Sequence, residues 1–193
     1  MQNSNIKTKA IIFDFMGVLL FVRKNYKPDK MIDEIDREIG KVTNDNLFKE
    51  KIKQKFNLDE KEFDNVLDKI VNKYEPFKLI WDLLPELKKK YKLAILNNGT
   101  ALTLSRFGKK QDLDTQFDLF ISSATCGMKK PDNDIYLLTA KKLEVNPKEC
   151  LFMDDSKQNI GGAKKCGMKT IWWKDQRTGL SEFENFLASN YNI

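Results

Sequence analysis

The chain has 193 residues, of which 41% are hydrophobic and 32% charged, and it contains no histidine. Its length suits one domain or a core with a modest insertion, and its apolar content excludes a disordered chain. The missing histidine excludes a Ser-His or Cys-His nucleophile pair and every histidine-containing metal site. Any chemistry must therefore use carboxylates, lysines, amides, hydroxyls or thiols.

The net charge of +6 does not predict a nucleic-acid partner. Lysines supply most of the positive charge and lie in pairs and triplets with acids between them, which favours a solvated surface. The three cysteines are widely spaced without a C-x-x-C pair, which predicts reduced thiols in a cytoplasmic protein. The longest apolar run, over 10–22, is broken by Asp14 and Gly17, so we expect neither a signal peptide nor a membrane span. The oligomeric state is left open.

Five short apolar runs predict the strands of one sheet. Each is bounded by turn-forming or charged residues and lacks polar alternation, which is typical of parallel strands buried on both faces. Helix-like stretches separate the later runs, so we expect an α/β fold with a doubly wound, Rossmann-like parallel sheet. If the runs are numbered 1 to 5 along the chain, the predicted order of the strands across the sheet is 5-4-1-2-3. The runs are 10–13, 93–96, 119–121, 151–153 and 170–173, and the helix-like stretches are 103–110, 134–143 and 159–166.

The segment between the first two runs is much longer than the other connections. It is charged and carries apolar residues at helical spacing, with candidate N-caps at Asp29, at Thr43 or Asn44, and at Asp59. We therefore predict a helical cap over 23–75, inserted into a core made of 1–22 and 76–193. Two further helices are expected: one over 76–90, interrupted at Pro85, and a final one over 181–188.

Polar side chains follow four of the five runs. Ligands of open parallel sheets bind beyond the carboxyl ends of the strands, near the reversal of strand order, where strands 1 and 4 are neighbours. Three carboxylates meeting there would repel one another unless a cation lies between them. Oxygen ligands without histidine favour Mg²⁺, and Mg²⁺ with lysine and amide donors suits a phosphoryl group. The residues are Asp14, then Asn97 and Asn98, then Lys130, then Asp154 and Asp155.

Four segments in this order resemble the four motifs of the haloacid dehalogenase (HAD) superfamily. They are IIFDFMGVL, LAILNNGT, GMKKPDNDIY and LFMDDSKQNIGGAKKCGMKT. The position of the helical insertion makes the chain most similar to members with a small C1-type cap, as in subfamily I. The resemblance spans nearly the whole chain, although the cap is supported only by its position and helicity.

The resemblance implies roles for the residues at the strand ends. Asp14 matches the nucleophile that forms an aspartyl-phosphate, and its second oxygen would bind Mg²⁺. Asn97 matches a residue that hydrogen-bonds a phosphoryl oxygen, with Asn98 shaping the same substrate-binding loop. Lys130 matches the lysine that neutralises the phosphoryl group and the nucleophile.

The metal site implied by the resemblance contains one departure from the family. Asp154 and Asp155 match the acids that hold the metal. Phosphatase members commonly carry a second aspartate two residues after the nucleophile, as general acid, whereas this chain has Met16. The backbone carbonyl of Met16 can still bind Mg²⁺, but its thioether cannot transfer a proton.

Three functions stay open from the sequence. The first is a Mg²⁺-dependent phosphatase of small phosphometabolites with altered proton transfer. The others are a non-catalytic or weakly active binding or regulatory protein and a 2-haloacid dehalogenase, although the Asp154-Asp155 pair speaks against a metal-free dehalogenase. For substrate contacts from the cap, the sequence nominates Arg23, Lys24 and Lys27.

Overall fold

A computed structural model describes residues 6–190 as a layered arrangement of strands and helices. The elements in chain order are β1 (Ala10–Phe13), β2 (Leu20–Val22), α1 (Lys30–Ile39), α2 (Asp45–Phe56), α3 (Glu60–Lys73), β3 (Tyr74–Pro76), α4 (Lys78–Trp81), α5 (Leu84–Lys88), β4 (Lys92–Asn97), α6 (Ala101–Gln111), α7 (Leu113–Gln116), β5 (Leu119–Ser122), α8 (Ser123–Cys126), α9 (Asn133–Lys142), a 3-10 turn (Pro147–Glu149), β6 (Cys150–Asp154), α10 (Lys157–Lys165), β7 (Lys169–Trp172) and α11 (Gln176–Asn190).

Five parallel strands form the main sheet in the order β5-β4-β1-β6-β7. The predicted doubly wound α/β class is confirmed, and these are the five runs found in the sequence. The strand labels differ from the prediction because β2 and β3, which pair antiparallel as a separate two-stranded sheet, were not expected. Each has only three residues and its partner lies about fifty positions away, so no local pattern identifies it.

The main sheet is buried on both faces, as continuous apolar strands require. On β1, Ile11 and Phe13 pack into one cluster, whereas Ala10 and Ile12 pack into another. All four side chains are fully buried. Successive residues of a strand point to opposite faces, so this single strand contributes to both cores.

Helices α1, α2 and α3, which follow β2 and precede β3 in the chain, form a separate apolar cluster. The predicted N-caps are found, since the side chains of Asp29, Asn44 and Asp59 accept hydrogen bonds from the first turns of α1, α2 and α3. Of the alternatives Thr43 and Asn44, the structure uses Asn44. Capping by these short side chains satisfies backbone N–H groups that have no partner within the helix.

The helical segment over 76–90 is interrupted as predicted, but the break lies at 82–83, before Pro85. It contains two short helices, α4 and α5, and Pro85 lies in the first turn of α5, where a missing N–H is tolerated. The final helix, α11, is longer than the predicted 181–188. Within residues 6–190 no helix is both long and apolar enough to cross a membrane. All three cysteines are free thiols, as expected.

Candidate active site

The carboxyl ends of three neighbouring strands converge on one cavity. Phe13 of β1 pairs with Ile95 of β4 on one side and with Met153 of β6 on the other. The next residues along β1 and β6 are Asp14 and Asp154, so the register places these two carboxylates side by side. The cavity has a volume of about 330 Å³. It is lined by Asp14, Met16, Asp36, Arg37, Ile39, Gly40, Ile70, Tyr74, Asn97, Asn98, Thr103, Phe107, Lys130 and Asn159.

Lys130 lies between the two carboxylates. Its ammonium nitrogen donates to Asp14 Oδ1 over 2.6 Å, to Asp154 Oδ2 over 2.7 Å and to the carbonyl oxygen of Leu96 over 2.8 Å. An ammonium group has three hydrogens, so every donor of Lys130 is engaged by the protein. Lys130 is buried, which makes this charge-assisted cluster a fixed part of the core.

Asp154 is fully buried and held from several directions. Its Oδ1 accepts from the backbone N–H of Ser156 over 2.8 Å. The Asn159 side-chain amide donates to Oδ1 and Oδ2 over 3.0 and 3.1 Å. Asn159 also lines the cavity, and sequence reasoning had placed it only at the start of a helix. Its position on the first turn of α10, five residues after Asp154, was the available signal.

The two asparagines after β4 have different environments. The Asn98 amide donates to the Lys130 carbonyl, and its oxygen accepts from the Lys130 backbone N–H, each over 2.9 Å. Asn98 therefore fixes the backbone that carries the central lysine. Asn97 is buried and lines the cavity, and a Cβ on Gly99 would lie only 2.6 Å from its Nδ2. A glycine at position 99 thus leaves space for the Asn97 side chain.

Asp155 completes a group of three carboxylates. One oxygen from each of Asp14, Asp154 and Asp155 lies within 4.8 Å of the others. The backbone at Gly17 has a positive φ of 87°, and a Cβ there would lie 2.5 Å from Asp155 Oδ2. Glycine is therefore required at this turn both for its conformation and for the space taken by the Asp155 carboxylate.

This arrangement shifts the pKa values of Asp14, Asp155 and Lys130. Burial, followed by the charge of Asp154, raises the pKa of Asp14 to about 7, although Lys130 opposes the shift. Burial and Asp154 also raise the pKa of Asp155. Burial lowers the pKa of Lys130, but Asp14 and Asp154 outweigh it, so the net shift is upward. One ammonium does not balance three carboxylates, so the group has the electrostatic character of a cation site.

A helical wall of the cavity comes from α1, α3 and α6, together with β3. It includes Asp36 and Arg37, which sequence reasoning missed. The nominated residues Arg23, Lys24 and Lys27 do not line this cavity. Arg23 instead donates through Nε to the carbonyl of Tyr74 over 3.2 Å, joining the two short strands. The wall is set by how α1 lies across the sheet, which local sequence patterns do not specify.

The model of the haloacid dehalogenase-like hydrolases matches residues 7–173. The chain belongs to this family. The matched range, residues 7–173, includes all strands of the main sheet and all residues that line the cavity. The family assignment and the α/β fold therefore agree with the resemblance seen in the four motifs.

Curated relatives of different activity resemble parts of the chain. They are bifunctional epoxide hydrolase 2 of Sus scrofa (36% identical, covering 50% of this chain and 18% of that protein), (S)-2-haloacid dehalogenase 4A of Burkholderia cepacia (32%; 54% and 47%), and the 5-amino-6-(5-phospho-D-ribitylamino)uracil phosphatase YigB of Escherichia coli (33%; 52% and 41%). Each match spans less than half of the relative's own length.

Solved structures share the fold over most of both chains. A HAD phosphatase of Thermococcus onnurineus superposes with a TM-score of 0.70 at 24% identity, covering 94% of this chain and 98% of that one. A HAD family enzyme of Bacteroides thetaiotaomicron, solved in complex with magnesium and inorganic phosphate, has a TM-score of 0.67 at 20% identity, covering 86% and 93%.

Proposed function

We propose that the protein is a Mg²⁺-dependent phosphatase of small phosphorylated metabolites that acts through an aspartyl-phosphate on Asp14. The observation that carries this proposal is the group of three carboxylates beside a buried lysine, of which Asp14 and Lys130 line the cavity. The relatives include a phosphatase, and a structural neighbour was solved with magnesium and phosphate. The three free thiols fit a reducing compartment, and we place the enzyme in the cytoplasm.

The donor set fits Mg²⁺ better than a softer metal. Asp14, Asp154 and Asp155 offer hard carboxylate oxygens within 4.8 Å of one another, and the described cavity wall carries neither histidine nor cysteine. We assign these three residues and the backbone carbonyl of Met16 as the groups that would hold the ion. Bound Mg²⁺ would neutralise phosphoryl oxygens and keep carboxylates ionised at neutral pH.

Asp14 is the residue that we assign as nucleophile. It follows β1 directly, lines the cavity and accepts a hydrogen bond from Lys130 through Oδ1, so one oxygen is oriented to attack phosphorus while the other would bind Mg²⁺. Attack forms the bond between Oδ and phosphorus while the bond from phosphorus to the leaving oxygen breaks. Water then attacks the aspartyl-phosphate and releases inorganic phosphate and the free carboxylate.

Lys130 and the asparagines position these reacting groups. Because all three donors of Lys130 are engaged, it acts on a phosphoryl group chiefly through its charge and by orienting Asp14. Asn97 is the nearer candidate for a hydrogen bond to a phosphoryl oxygen, because it lines the cavity and its amide is not tied to Lys130. Asn98 contributes to substrate binding indirectly, through the Lys130 backbone.

Met16 limits the rate that we expect. Its side chain lines the cavity and packs partly against the core, and a thioether neither donates nor accepts a proton in catalysis. Lack of a general acid typically costs about 10²- to 10⁴-fold in rate. We therefore expect slow turnover that is fastest with good leaving groups. Met16→Asp should raise kcat for alkyl phosphates relative to p-nitrophenyl phosphate, and an unchanged ratio in a folded variant would contradict this role of position 16.

The direct test is hydrolysis of p-nitrophenyl phosphate with and without Mg²⁺. We expect Mg²⁺-dependent release of phosphate that Asp14→Asn reduces by about 10⁴-fold or more, as expected on loss of a nucleophile. The matched control is Asp33→Asn, because Asp33 also accepts from a lysine but does not line the cavity. Turnover that survives in Asp14→Asn, or that does not need Mg²⁺, would contradict the proposal.

A dehalogenase of small 2-halo acids is the second candidate, favoured by the (S)-2-haloacid dehalogenase relative and by Met16. The crowding of Asp154 and Asp155 beside Asp14 favours the phosphatase, because an uncompensated carboxylate group would repel an anionic halo acid. Release of chloride from 2-chloropropionate in EDTA would reverse this preference. A folded protein with neither activity would instead support a non-catalytic role.

A further inference from the structure

Arg37 places a positive charge on the cavity wall that no described side chain neutralises by contact. It is exposed and lies on α1, where it lines the same cavity as Asp14. The acids closest to it along the helix are already paired. Glu34 lies 2.6 Å from Lys55 and Asp36 lies 2.7 Å from Lys73. Among residues 6–190, neither a hydrogen bond nor an ion pair engages the guanidinium.

The other cation of the cavity wall cannot substitute for Arg37. Lys130 is buried and donates all three of its hydrogens to protein acceptors. Its charge is also outweighed by the three carboxylates beside it. Arg37 is therefore the cavity-lining cation whose donors remain available to a ligand.

Between these charged groups the cavity wall is largely apolar. Met16 follows β1 and Phe107 lies on α6, whereas Ile39 and Ile70 come from α1 and α3. The cavity thus combines Asp14 and Lys130, several apolar side chains and an exposed guanidinium on the helical wall. Its volume of about 330 Å³ suits a small molecule and leaves little room for a polymer.

We propose that Arg37 binds a second anionic group of the substrate, which makes the substrate a short phosphorylated acid with an apolar segment between its two charged ends. The planar guanidinium fork matches a carboxylate through two parallel hydrogen bonds. The phosphoryl end of this assignment rests on the proposed function. The acid end rests on Arg37 alone and can be tested separately.

The kinetic test uses two phosphate esters of the same size. 3-(Phosphonooxy)propanoate ends in a carboxylate, and 3-(phosphonooxy)propanamide replaces it with a neutral amide. We expect kcat/KM to favour the carboxylate by about tenfold, as for a charge-assisted contact near solvent. In Arg37→Gln the ratio should fall to about one, and in Arg37→Lys it should be intermediate because the fork is lost while the charge is kept.

The matched control is Lys30→Gln, which removes the same charge from the exposed first turn of α1, away from the cavity wall. It should keep the wild-type ratio. A wild-type ratio near one, or a ratio that Arg37→Gln leaves intact, would overturn the proposal. An equal loss in Lys30→Gln would also overturn it, because the effect would then be a general one of surface charge.

A binding measurement separates this proposal from the proposed function. Calorimetry with the Asp14→Asn protein and Mg²⁺ compares the dissociation constants of the two esters without turnover. We expect about tenfold tighter binding of the carboxylate, lost on adding Arg37→Gln. If wild type hydrolyses neither ester but this binding difference is found, the phosphatase proposal fails and the Arg37 site stands. Equal binding of both esters contradicts the Arg37 site whatever the activity.

Discussion

Two lysines of this protein are each held between two aspartates, in different surroundings. Lys130 contacts Asp14 and Asp154 at the end of the main sheet, where the lysine side chain is 1% exposed and those of the acids 11% and 0%. Lys73 at the end of α3 contacts Asp33 and Asp36 of α1, where the exposures are 11%, 25% and 12%. The contacts have similar lengths, so burial is the main difference.

The pKa values of Asp33 and Asp14 are shifted in opposite directions. The pKa of Asp33 is lowered, chiefly by its hydrogen bonds from Lys73 and Tyr26. The pKa of Asp14 is raised, chiefly by burial and by Asp154. A lysine between aspartates is therefore a structural link where water reaches it. Where water is excluded and a third carboxylate is added, the same arrangement becomes an electrostatically unbalanced site that favours a cation.

The largest difference should appear when each lysine is replaced by methionine. Lys130→Met leaves two buried carboxylates without their cation, and breaking such a buried group costs about 3 to 5 kcal/mol of the free energy of unfolding. Lys73→Met should cost about 1 kcal/mol, because its partners are partly solvated. Urea denaturation of both variants gives the comparison, and equal losses would show that burial does not set the difference.

Replacing Gly17 tests whether Asp155, the third carboxylate of the site, contributes to Mg²⁺ binding. Among the described residues, the group around Lys73 has no such third carboxylate. Gly17→Ala adds a Cβ 2.5 Å from Asp155 Oδ2, so Asp155 must move away from Asp14 and Asp154. We expect Mg²⁺ affinity, measured by calorimetry, to fall by about tenfold, or about 1.4 kcal/mol.

Gly127→Ala is the matched control for this effect. Gly127 also has a positive φ, but a Cβ there meets no atom within 4 Å. It therefore reproduces the backbone strain without displacing a carboxylate. Equal Mg²⁺ affinities in the two variants would show that Asp155 does not help to hold the ion.

The smallest expected effects concern stability in EDTA at pH 8. Asp14→Asn should raise the free energy of unfolding by about 1 kcal/mol, because it removes a charge that the metal-free fold disfavours. Asp33→Asn should lower it by about 0.5 kcal/mol, because it removes a partner of Lys73. Thermal or urea unfolding measures both, and shifts of the same sign would contradict the comparison of the two groups.

The pH dependence of these contributions also has opposite signs. Folding raises the pKa of Asp14 from 3.8 to about 7, so the folded protein binds its proton more tightly. The contribution of Asp14 to stability therefore falls as the pH rises from about 4 to 7. Folding lowers the pKa of Asp33, so its contribution is present above pH 3.8 and is lost as the pH falls below that value.

Sequence reasoning found the sheet because its strands are continuous apolar runs with polar residues at their carboxyl ends. Strand order then brings Asp14 beside Asp154, which needs no knowledge of side-chain contacts. The features that it missed depend on contacts between distant segments. Asn98 pairs with the Lys130 backbone across thirty-two positions, and β2 pairs with β3 across about fifty.

The residues of the helical wall were also beyond what could be predicted from the sequence. The nominated Arg23, Lys24 and Lys27 follow the first strand directly, and proximity in sequence suggested proximity to the site. Arg37 lies in the cavity wall because α1 packs Ile32 and Ile35 into the helical cluster and leaves Arg37 on the cavity side. The angle at which a helix crosses a cavity is a property of tertiary packing, and no local pattern encodes it.

We propose that Asp14, and not another of the clustered acids, accepts the phosphoryl group. Protein quenched in acid during turnover of p-nitrophenyl phosphate with Mg²⁺ can be reduced with borohydride, which converts an aspartyl-phosphate to homoserine, and then digested for mass spectrometry. We expect homoserine at position 14 and unmodified aspartate at positions 33, 36, 154 and 155. Mg²⁺-dependent turnover without homoserine at position 14, or with homoserine at another of these positions, would contradict it.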